Sequence, residues 1–182
     1  MLFNLFGKKD GEADNQVFVD RAYTTTEAKL KACVELAKAE PGYLFICWFN
    51  ETMNMFKDFF KQHGVDDECI VMARYLNAGL LKTKTPVFTE HYPLHAKELE
   101  LIKNWDTGKI IVYSALDEPL FKHFGSDKII PLMKMMGMKE DEVIEHSLVT
   151  KSIIKGQEKI AEQVSFEHAA ISQADWMKKN VT

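Results

Sequence analysis

Cysteine is scarce in this chain, which has 182 residues and only Cys33, Cys47 and Cys69. Three scattered cysteines form neither an even disulfide framework nor a metal-binding spacing, and each lies among apolar residues. We therefore expect reduced, buried thiols and a cytoplasmic location.

Long hydrophobic runs and an excess of positive charge are missing as well. No apolar run approaches the roughly 20 residues that a membrane-spanning helix needs. The formal net charge of −4 offers no basic surface to nucleic-acid phosphates. The phosphate-binding motif G-x-x-x-x-G-K-[ST] is also absent. What remains, with 46% hydrophobic residues and mixed charges, is typical of a globular domain large enough for a sizeable core.

Residues 43–49 form a continuous apolar run that we take as the central strand of a sheet. A strand with one face in water alternates apolar and polar residues, so this run predicts a strand buried on both faces. Residues 50–63 then form an amphipathic helical pattern that ends at His63-Gly64. A doubly buried strand followed by a helix is the unit of a parallel α/β sheet.

The same alternation of strands and helices extends over most of the chain. Further strands are predicted at residues 17–19, 69–73, 86–89 and 109–114. The fold class is therefore α/β, a three-layer sandwich around a mostly parallel sheet. After residue 114 only helices are predicted, the last of them from about residue 149 to 179. About thirty residues of helix would be roughly 45 Å long, so we expect a projecting arm.

A stretch near the end of the last strand is similar to a known family. Residues 113–130, with the sequence YSALDEPLFKHFGSDKII, resemble SecA, the bacterial preprotein translocase ATPase. Residues 137–138, 140–146, 150–153 and 157–159 continue the match, as does Phe166. Gly156 stands where the family usually has alanine, which would weaken the helix by about 1 kcal/mol. Weaker similarity reaches back through residues 89–91 and 41–65 to residues 27–29.

The residue pattern and the resemblance together predict a division of the chain into three parts. Residues 1–16 would be a flexible N-terminal tail and residues 17–118 a RecA-like (P-loop NTPase-like) domain. Residues 119–182 would be an extension similar to the helical scaffold of SecA. The matched region of the family lies where its second RecA-like motor domain ends and the scaffold begins.

Departures from the family pattern bear on function. The second motor domain of SecA supplies arginines to the phosphates of ATP, but residues 92–105 contain none, and Arg21 and Arg74 are the only arginines in the chain. Residues 75–85 replace the family's glycine-rich nucleotide loop. We therefore expect a non-catalytic SecA-like module without a cofactor, acting through protein interactions related to preprotein translocation. The alternative is a nucleotide-binding protein or ATPase that uses a strand-end crevice together with a partner.

Polar residues at predicted strand ends mark a candidate crevice. Ligands of open α/β sheets bind beyond the carboxyl ends of the strands, where Asn50, Arg74 and Glu90-His91-Tyr92 are expected. Ordinary polar loop residues are the alternative interpretation. A metal site that includes His91 and His95 is disfavoured because Pro93 interrupts the helical spacing of the two histidines.

The predicted arm carries a candidate interaction surface. Ile153, Ile160, Val164 and Ile171 recur at close to a 3.5-residue spacing and form an apolar stripe. The stripe would fold back on the sheet domain, pair with another copy or bind a protein partner. Folding back requires a break, and residues 161–166 contain no proline or glycine, so we expect self-association or partner binding.

Two further expectations concern packing. Trp48 lies on the predicted central strand, whereas Trp176 lies near the chain end, so replacement of Trp48 by alanine should cost more stability. The methionines of residues 133–138 are expected to pack in a helical core, with an adaptable peptide-binding surface as the alternative.

Overall fold

The structure, a computed structural model, describes residues 17–106 and 108–181. The expected tail, residues 1–16, lies outside the described residues. The strands are β1 (Phe18–Tyr23), β2 (Tyr43–Cys47), β3 (Ile70–Met72), β4 (Thr85–Phe88) and β5 (Ile110–Ala115). The helices are α1 (Thr26–Ala39), α2 (Asn50–Gln62), α3 (Ala78–Leu81), α4 (His95–Ile102), α5 (Pro119–His123), α6 (Ser126–Met135), α7 (Ser147–Ala161) and α8 (Gln173–Asn180).

The five strands form one sheet in the order β1-β5-β4-β2-β3, and every pair is parallel. Helices cover both faces, which confirms the predicted α/β class and is consistent with a RecA-like fold that has a helical extension. The prediction that residues 43–49 form the central strand is wrong in position, because β4 is the central strand and β2 lies next to it. Thr85, at the start of β4, is exposed, and this makes β4 look less like a buried strand in the sequence than β2 does.

Side chains of β2 alternate between two apolar clusters, one on each face of the sheet. Phe45 and Cys47 pack with side chains of α1 and α2, whereas Leu44 and Ile46 pack with side chains of β1, β4 and α4. All four have no measurable exposure, which confirms the prediction of burial on both faces. Each leucine or phenylalanine buried in this way contributes about 1.5–3 kcal/mol relative to an exposed one.

Strand β2 ends at Cys47, two residues earlier than predicted. The N–H groups of Trp48 and Phe49 leave the ladder and donate hydrogen bonds to the carboxylate of Glu90, at 3.0 and 3.2 Å. Strand β1 is longer than predicted and includes Asp20, a charged residue that hides the strand pattern in the sequence. Its backbone edge is partly covered, since Ala22 and Ile144 exchange two hydrogen bonds.

The predicted long helix is wrong. Helix α7 ends at Ala161 and α8 begins at Gln173, so the chain turns back without the help of proline or glycine. One local signal operates at the second helix: Ser172 is its N-cap, and its hydroxyl oxygen accepts a hydrogen bond from the N–H of Asp175 at 3.1 Å. Over residues 17–106 and 108–181 no separate arm projects, and the chain after α7 folds back onto the sheet domain.

A third apolar cluster explains why the chain folds back. It lies beyond the carboxyl ends of the strands and has a core of six buried side chains, namely Phe49, Leu120, Phe121, Ile153, Ile160 and Trp176. Trp176 has no measurable exposure. The division at residue 118 stays a prediction, and side chains from both sides of that residue share this cluster.

Helix α6 contrasts with the rest because most of its apolar side chains face water. Met135, the last residue of α6, and Met136, which directly follows it, are 84% and 80% exposed, and Leu132 is 56% exposed. The expectation that these methionines pack in a core is therefore wrong for Met135 and Met136. Within the part of the chain that the structure covers, no helix combines the length and apolar character required to cross a membrane.

Gly156 in α7 has a packing role that the sequence comparison conceals. A Cβ atom at this position would lie 2.4 Å from Cζ of Phe124, far inside van der Waals contact. We expect Gly156→Ala to destabilise the protein by about 1 kcal/mol, since overpacking costs about 1–3 kcal/mol and the gain in helix propensity is about 1 kcal/mol. Urea titration measures the change.

The control is the double variant Phe124→Leu/Gly156→Ala beside Phe124→Leu alone. Once the ring is shortened, the alanine should be neutral or stabilising, which gives a clear coupling between the two positions. A Gly156→Ala single variant that is more stable than the wild type would contradict the close contact.

Candidate functional site

Glu90 organises the carboxyl end of the sheet. It follows β4 directly, is 3% exposed, and accepts three hydrogen bonds through its two carboxylate oxygens. Two come from the backbone of Trp48 and Phe49, and the third comes from the hydroxyl of Thr52 at 2.7 Å. The carboxylate therefore joins the ends of β2 and β4 to the first turn of α2.

Lys29 lies beneath this carboxylate, fully buried on the inner face of α1. Its ammonium group donates to the carbonyl oxygen of Thr89 at 2.7 Å and forms an ion pair with Glu118. The ammonium nitrogen also lies 5.4 Å from the ring centre of Phe56. One buried cation thus connects α1, β4 and the segment that follows β5.

The environment shifts the pKa values of these groups. Burial raises the pKa of Glu90 to about 7, although Lys29 and Thr52 favour its charged form. Burial also raises the pKa of Glu118, with the charge of Lys29 opposing the shift. Burial alone would lower the pKa of Lys29, yet the charge of Glu118 and its hydrogen bond outweigh it and raise that pKa. Lys29 therefore stays charged, and its single positive charge stabilises the ionised forms of both Glu90 and Glu118.

His91 lies in a second buried polar group, between two carboxylates. Its Nδ1 is 2.8 Å from Glu98 and its Nε2 is 2.5 Å from Asp20. Burial alone would lower the pKa of His91, but the two carboxylates hold it well above its ordinary value, so both ring nitrogens donate. Burial alone would raise the pKa of Glu98, whereas the charge of His91 lowers it to about 2.

Tyr92 connects the strand end to the C-terminal segment, which we define as residues 162–181. Its ring stacks on Phe49 with ring centres 5.6 Å apart, and its hydroxyl donates to Glu167. The same carboxylate accepts a hydrogen bond from Nε1 of Trp176 at 2.9 Å. Tyr92 is therefore covered by the chain's own C-terminal segment.

Two glutamine side chains hold α7 and the C-terminal segment against the end of β4. Gln157 donates to the carbonyl of Tyr92 at 2.6 Å, and Gln173 donates to the carbonyl of His91 at 3.0 Å. Gln173 also accepts a hydrogen bond from the N–H of Leu120 at 2.8 Å. Backbone groups that a ligand would otherwise meet are thus occupied from within the chain.

The other two predicted crevice residues form a separate pair. Asn50 accepts a hydrogen bond from the guanidinium of Arg74 at 2.9 Å, in an exposed position. Arg74 shares one cavity with Tyr92, whereas Glu90 lines another whose lining includes neither Asn50 nor Arg74. A cavity of about 580 Å³ is lined by Arg74, Tyr92 and Glu167. A second cavity, of about 360 Å³, is lined by Glu90 together with Glu118 and residues 172–174.

The four residues of the expected interaction stripe do not share one exposed face. Ile153 and Ile160 are 2% and 0% exposed in the third cluster, and Val164 is half-buried against it. Ile171 alone is well exposed, at 54%, and it lies in the loop before α8. The prediction of one continuous stripe is therefore wrong, because the break after Ala161 places its members in different surroundings.

Several residues that shape the site were missed by sequence reasoning. Glu118, Gln157 and Gln173 come from segments that only the fold brings to β4. The burial of Lys29 could have been predicted from the sequence, because Lys29 lies one helical turn before Cys33 on the apolar face of α1. Over residues 17–106 and 108–181, no group of three or more histidine, cysteine, aspartate or glutamate side chains is placed to hold a metal ion.

Comparison with known proteins identifies one part of the chain. Over 58 residues it is 48% identical to the protein translocase subunit SecA of Chlorobium phaeobacteroides and 47% identical to that of Chlorobaculum tepidum. Over 55 residues it is 51% identical to SecA of Acidithiobacillus ferrooxidans. Part of this chain is related to SecA. No family model matches the chain.

The similarity to SecA covers only a small part of each protein. The matches cover 30–32% of this chain and 6% of each of these SecA proteins. The chain therefore corresponds to a small fraction of SecA, and most of that protein has no matched counterpart here. The relationship confirms the resemblance read from the sequence for a SecA-related region.

Proposed function

We propose that this protein is a non-catalytic SecA-like module that acts through protein interactions in a process related to preprotein translocation. The observation that carries the proposal is that the C-terminal segment covers part of the sheet's carboxyl end. Open α/β sheets bind their ligands at this end. Here Trp176 packs in the third apolar cluster, and Gln173 donates a hydrogen bond to the carbonyl oxygen of His91.

Negative charge at the carboxyl end of the sheet also argues against nucleotide binding. The cavity beside Glu90 is lined by four carboxylates, those of Glu51, Glu90, Asp117 and Glu118, and by one cation, Lys29. A triphosphate carries several negative charges and would be repelled. The sequence also contains no phosphate-binding loop motif.

The exposed face of α6 supports an interaction role. Ile129, Leu132, Met135 and Met136 are between 49% and 84% exposed and lie within two helical turns of each other. Several exposed apolar side chains near one another mark sites of protein contact more often than an isolated one does. The relationship to SecA makes a component of preprotein translocation the partner that we favour.

The expected result with nucleotide is no response. Purified protein should hydrolyse no ATP above background and show no thermal shift with ATP or ADP and magnesium at millimolar concentration. A ligand present at about 100 times its dissociation constant stabilises by about 2.7 kcal/mol, which appears as a shift of several degrees. A clear shift, or hydrolysis that a Lys29→Met variant abolishes, would contradict the non-catalytic assignment.

The interaction role is tested by in-cell photo-cross-linking. A photoreactive residue at Met136 should give cross-links to a translocation component, whereas one at Glu35, an exposed position on α1, should not. Equal labelling from both positions, or none from either, would contradict an interaction through α6.

A further inference from the structure

The two faces of the sheet are covered by helices of unequal length. On one face, α1 and α2 have 14 and 13 residues and pack against Phe45 and Cys47 of β2. On the other face, the helices that join the apolar cluster are α3 and α4, with only 4 and 8 residues. The second face is therefore covered less completely, and an open groove lies between the α3 region and the end of α4.

This groove, which we call the α3–α4 groove, has a volume of about 590 Å³. Its apolar lining consists of four half-buried side chains, Leu76, Leu81, Leu101 and Trp105, and its polar rim consists of Asn77, Lys82, Asn104 and Asp106. The indole of Trp105 stacks on Phe88 with ring centres 5.9 Å apart, so the groove adjoins the buried cluster of this face. A concave apolar groove with a polar rim is the usual form of a binding site.

The chain before β1 contains an apolar segment suited to such a groove. Leucine and phenylalanine occupy four of the five positions from 2 to 6, namely Leu2, Phe3, Leu5 and Phe6. Residues 7–16 contain no leucine, isoleucine, valine, methionine or aromatic residue. Burial of large apolar side chains is favourable in proportion to the area removed from water. The segment and the groove therefore both gain from contact with each other.

The length of residues 7–16 allows this segment to reach the groove. The carbonyl oxygen of Val17 accepts a hydrogen bond from the N–H of Ile110 at 2.8 Å, so Val17 lies beside the start of β5. Asp106, on the rim of the groove, is four residues before Ile110. Consecutive Cα atoms are about 3.8 Å apart, so Asp106 and Ile110 are separated by at most about 15 Å. Residues 7–16 can span up to about 33 Å, which is more than this distance.

We propose that residues 2–6, which we call the N-terminal apolar segment, dock into the α3–α4 groove of their own chain. The two phenylalanine rings pack against Trp105 and the leucines of the groove, and residues 7–16 form the connection to β1. The assignment goes beyond the proposed function and does not depend on a translocation partner. It replaces, for residues 2–6, the flexible tail expected from the sequence, because only the fold reveals an apolar groove within reach.

The exposed apolar side chains of α6 are a less suitable site for this segment. Ser126, the first residue of α6, donates a hydrogen bond to the carbonyl oxygen of Leu116, so α6 begins at the carboxyl end of β5. Val17 precedes the amino end of β1, which is parallel to β5. The start of α6 and Val17 therefore lie at opposite ends of the sheet. In addition, the α6 side chains belong to a single helix, whereas the groove has walls from two parts of the chain and buries a ring more fully.

The first test is an NMR experiment on the full chain with labelled leucine methyl groups and phenylalanine rings. We expect NOE contacts from at least one ring of the segment to the methyl groups of Leu81 and Leu101, assigned with the single variants Phe3→Ser and Phe6→Ser. Contacts to Leu132 of α6 in place of the groove, or contacts to neither, would overturn the proposal. So would contacts in a mixture of copies labelled only on phenylalanine with copies labelled only on leucine, because those would show docking into a second copy.

A peptide competition measures how fully the groove is occupied. The probe is a peptide with the sequence of residues 1–9, followed by the indole N–H signal of Trp105, and the control peptide has serine in place of both phenylalanines. We expect saturable binding to the double variant Phe3→Ser/Phe6→Ser and at least about tenfold weaker binding to the wild type. A groove that its own segment fills about nine-tenths of the time leaves only about one-tenth available to the peptide. Equal affinity for both proteins, or no binding to either, would overturn the proposal.

Matched variants separate the groove from other surfaces and the rings from nearby charge. Lys8→Ser/Lys9→Ser keeps both phenylalanines and should bind the peptide as weakly as the wild type. In the background of the double phenylalanine variant, Leu101→Gln in the groove should weaken peptide binding by about tenfold, which corresponds to about 1.4 kcal/mol. Leu132→Gln on α6 should leave that binding unchanged. Full binding by Leu101→Gln would overturn the proposed location, and the NOE contacts keep the test decisive if Leu101→Gln does not fold.

Discussion

Replacing Trp176 by alanine is expected to lower the free energy of unfolding by about 3–5 kcal/mol. The indole has no measurable exposure, packs edge-on against Tyr92 with ring centres 5.9 Å apart, and donates to Glu167. Removal would leave a cavity in the third apolar cluster and release the C-terminal segment from the end of the sheet. The loss should exceed that of Trp48→Ala, because Trp48 is only partly buried.

Urea titration of the purified variants measures this loss. Phe166→Ala is the matched control, since it removes an aromatic ring from the same segment at a position that is 73% exposed. Its stability should stay close to that of the wild type. Equal losses for Trp176→Ala and Phe166→Ala would mean that the C-terminal segment is not part of the core.

The sheet was predictable from the sequence because burial on both faces leaves a strong signature. A strand such as β2 has no polar face, so its apolar run stands out without knowledge of its neighbours. Strand β1 shows the limit of this reasoning. Asp20 is buried and pairs through Oδ1 with His91, and a buried ion pair looks like a solvent-exposed charge when only the sequence is read.

The break between α7 and α8 was not predictable in the same way. Residues 162–172 contain no proline or glycine, and the helix pattern continues through them. Helix propensity differs by less than about 1 kcal/mol per ordinary residue, so burial of Trp176 easily outweighs it. Tertiary packing, and not a local stop signal, decides where the chain turns.

The candidate site was predictable only in part. Strand-end topology placed Glu90, His91 and Tyr92 at the carboxyl edge of the sheet. Their partners lie far away in sequence, since Lys29 is 60 residues from Thr89 and 89 residues from Glu118. Without the fold, nothing indicates that a lysine in α1 and a glutamate after β5 meet at this edge.

Lys29→Met is expected to destabilise the protein by about 3–5 kcal/mol near neutral pH, because it leaves the carboxylates of Glu118 and Glu90 buried without their cation. The loss should shrink as the pH falls. Burial holds the pKa of Glu90 at about 7 and raises that of Glu118, so the native state retains protons that the unfolded chain releases above about pH 4.5. Stability therefore falls as the pH rises through this window, and removal of Lys29 raises both pKa values further.

The measurement is urea titration of the variant and the wild type at several pH values from about 5 to 8, with the difference taken at each pH. This difference cancels the contribution of His91, which both proteins share. Lys31→Met is the control, since Lys31 lies on the same helix and forms only an exposed ion pair with Glu27. A double variant, Lys29→Met/Glu118→Leu, should recover part of the loss because it removes one of the two unpaired buried charges. A loss for Lys29→Met that is the same at every pH would show that the lysine acts through packing, and that its charge does not balance the buried carboxylates.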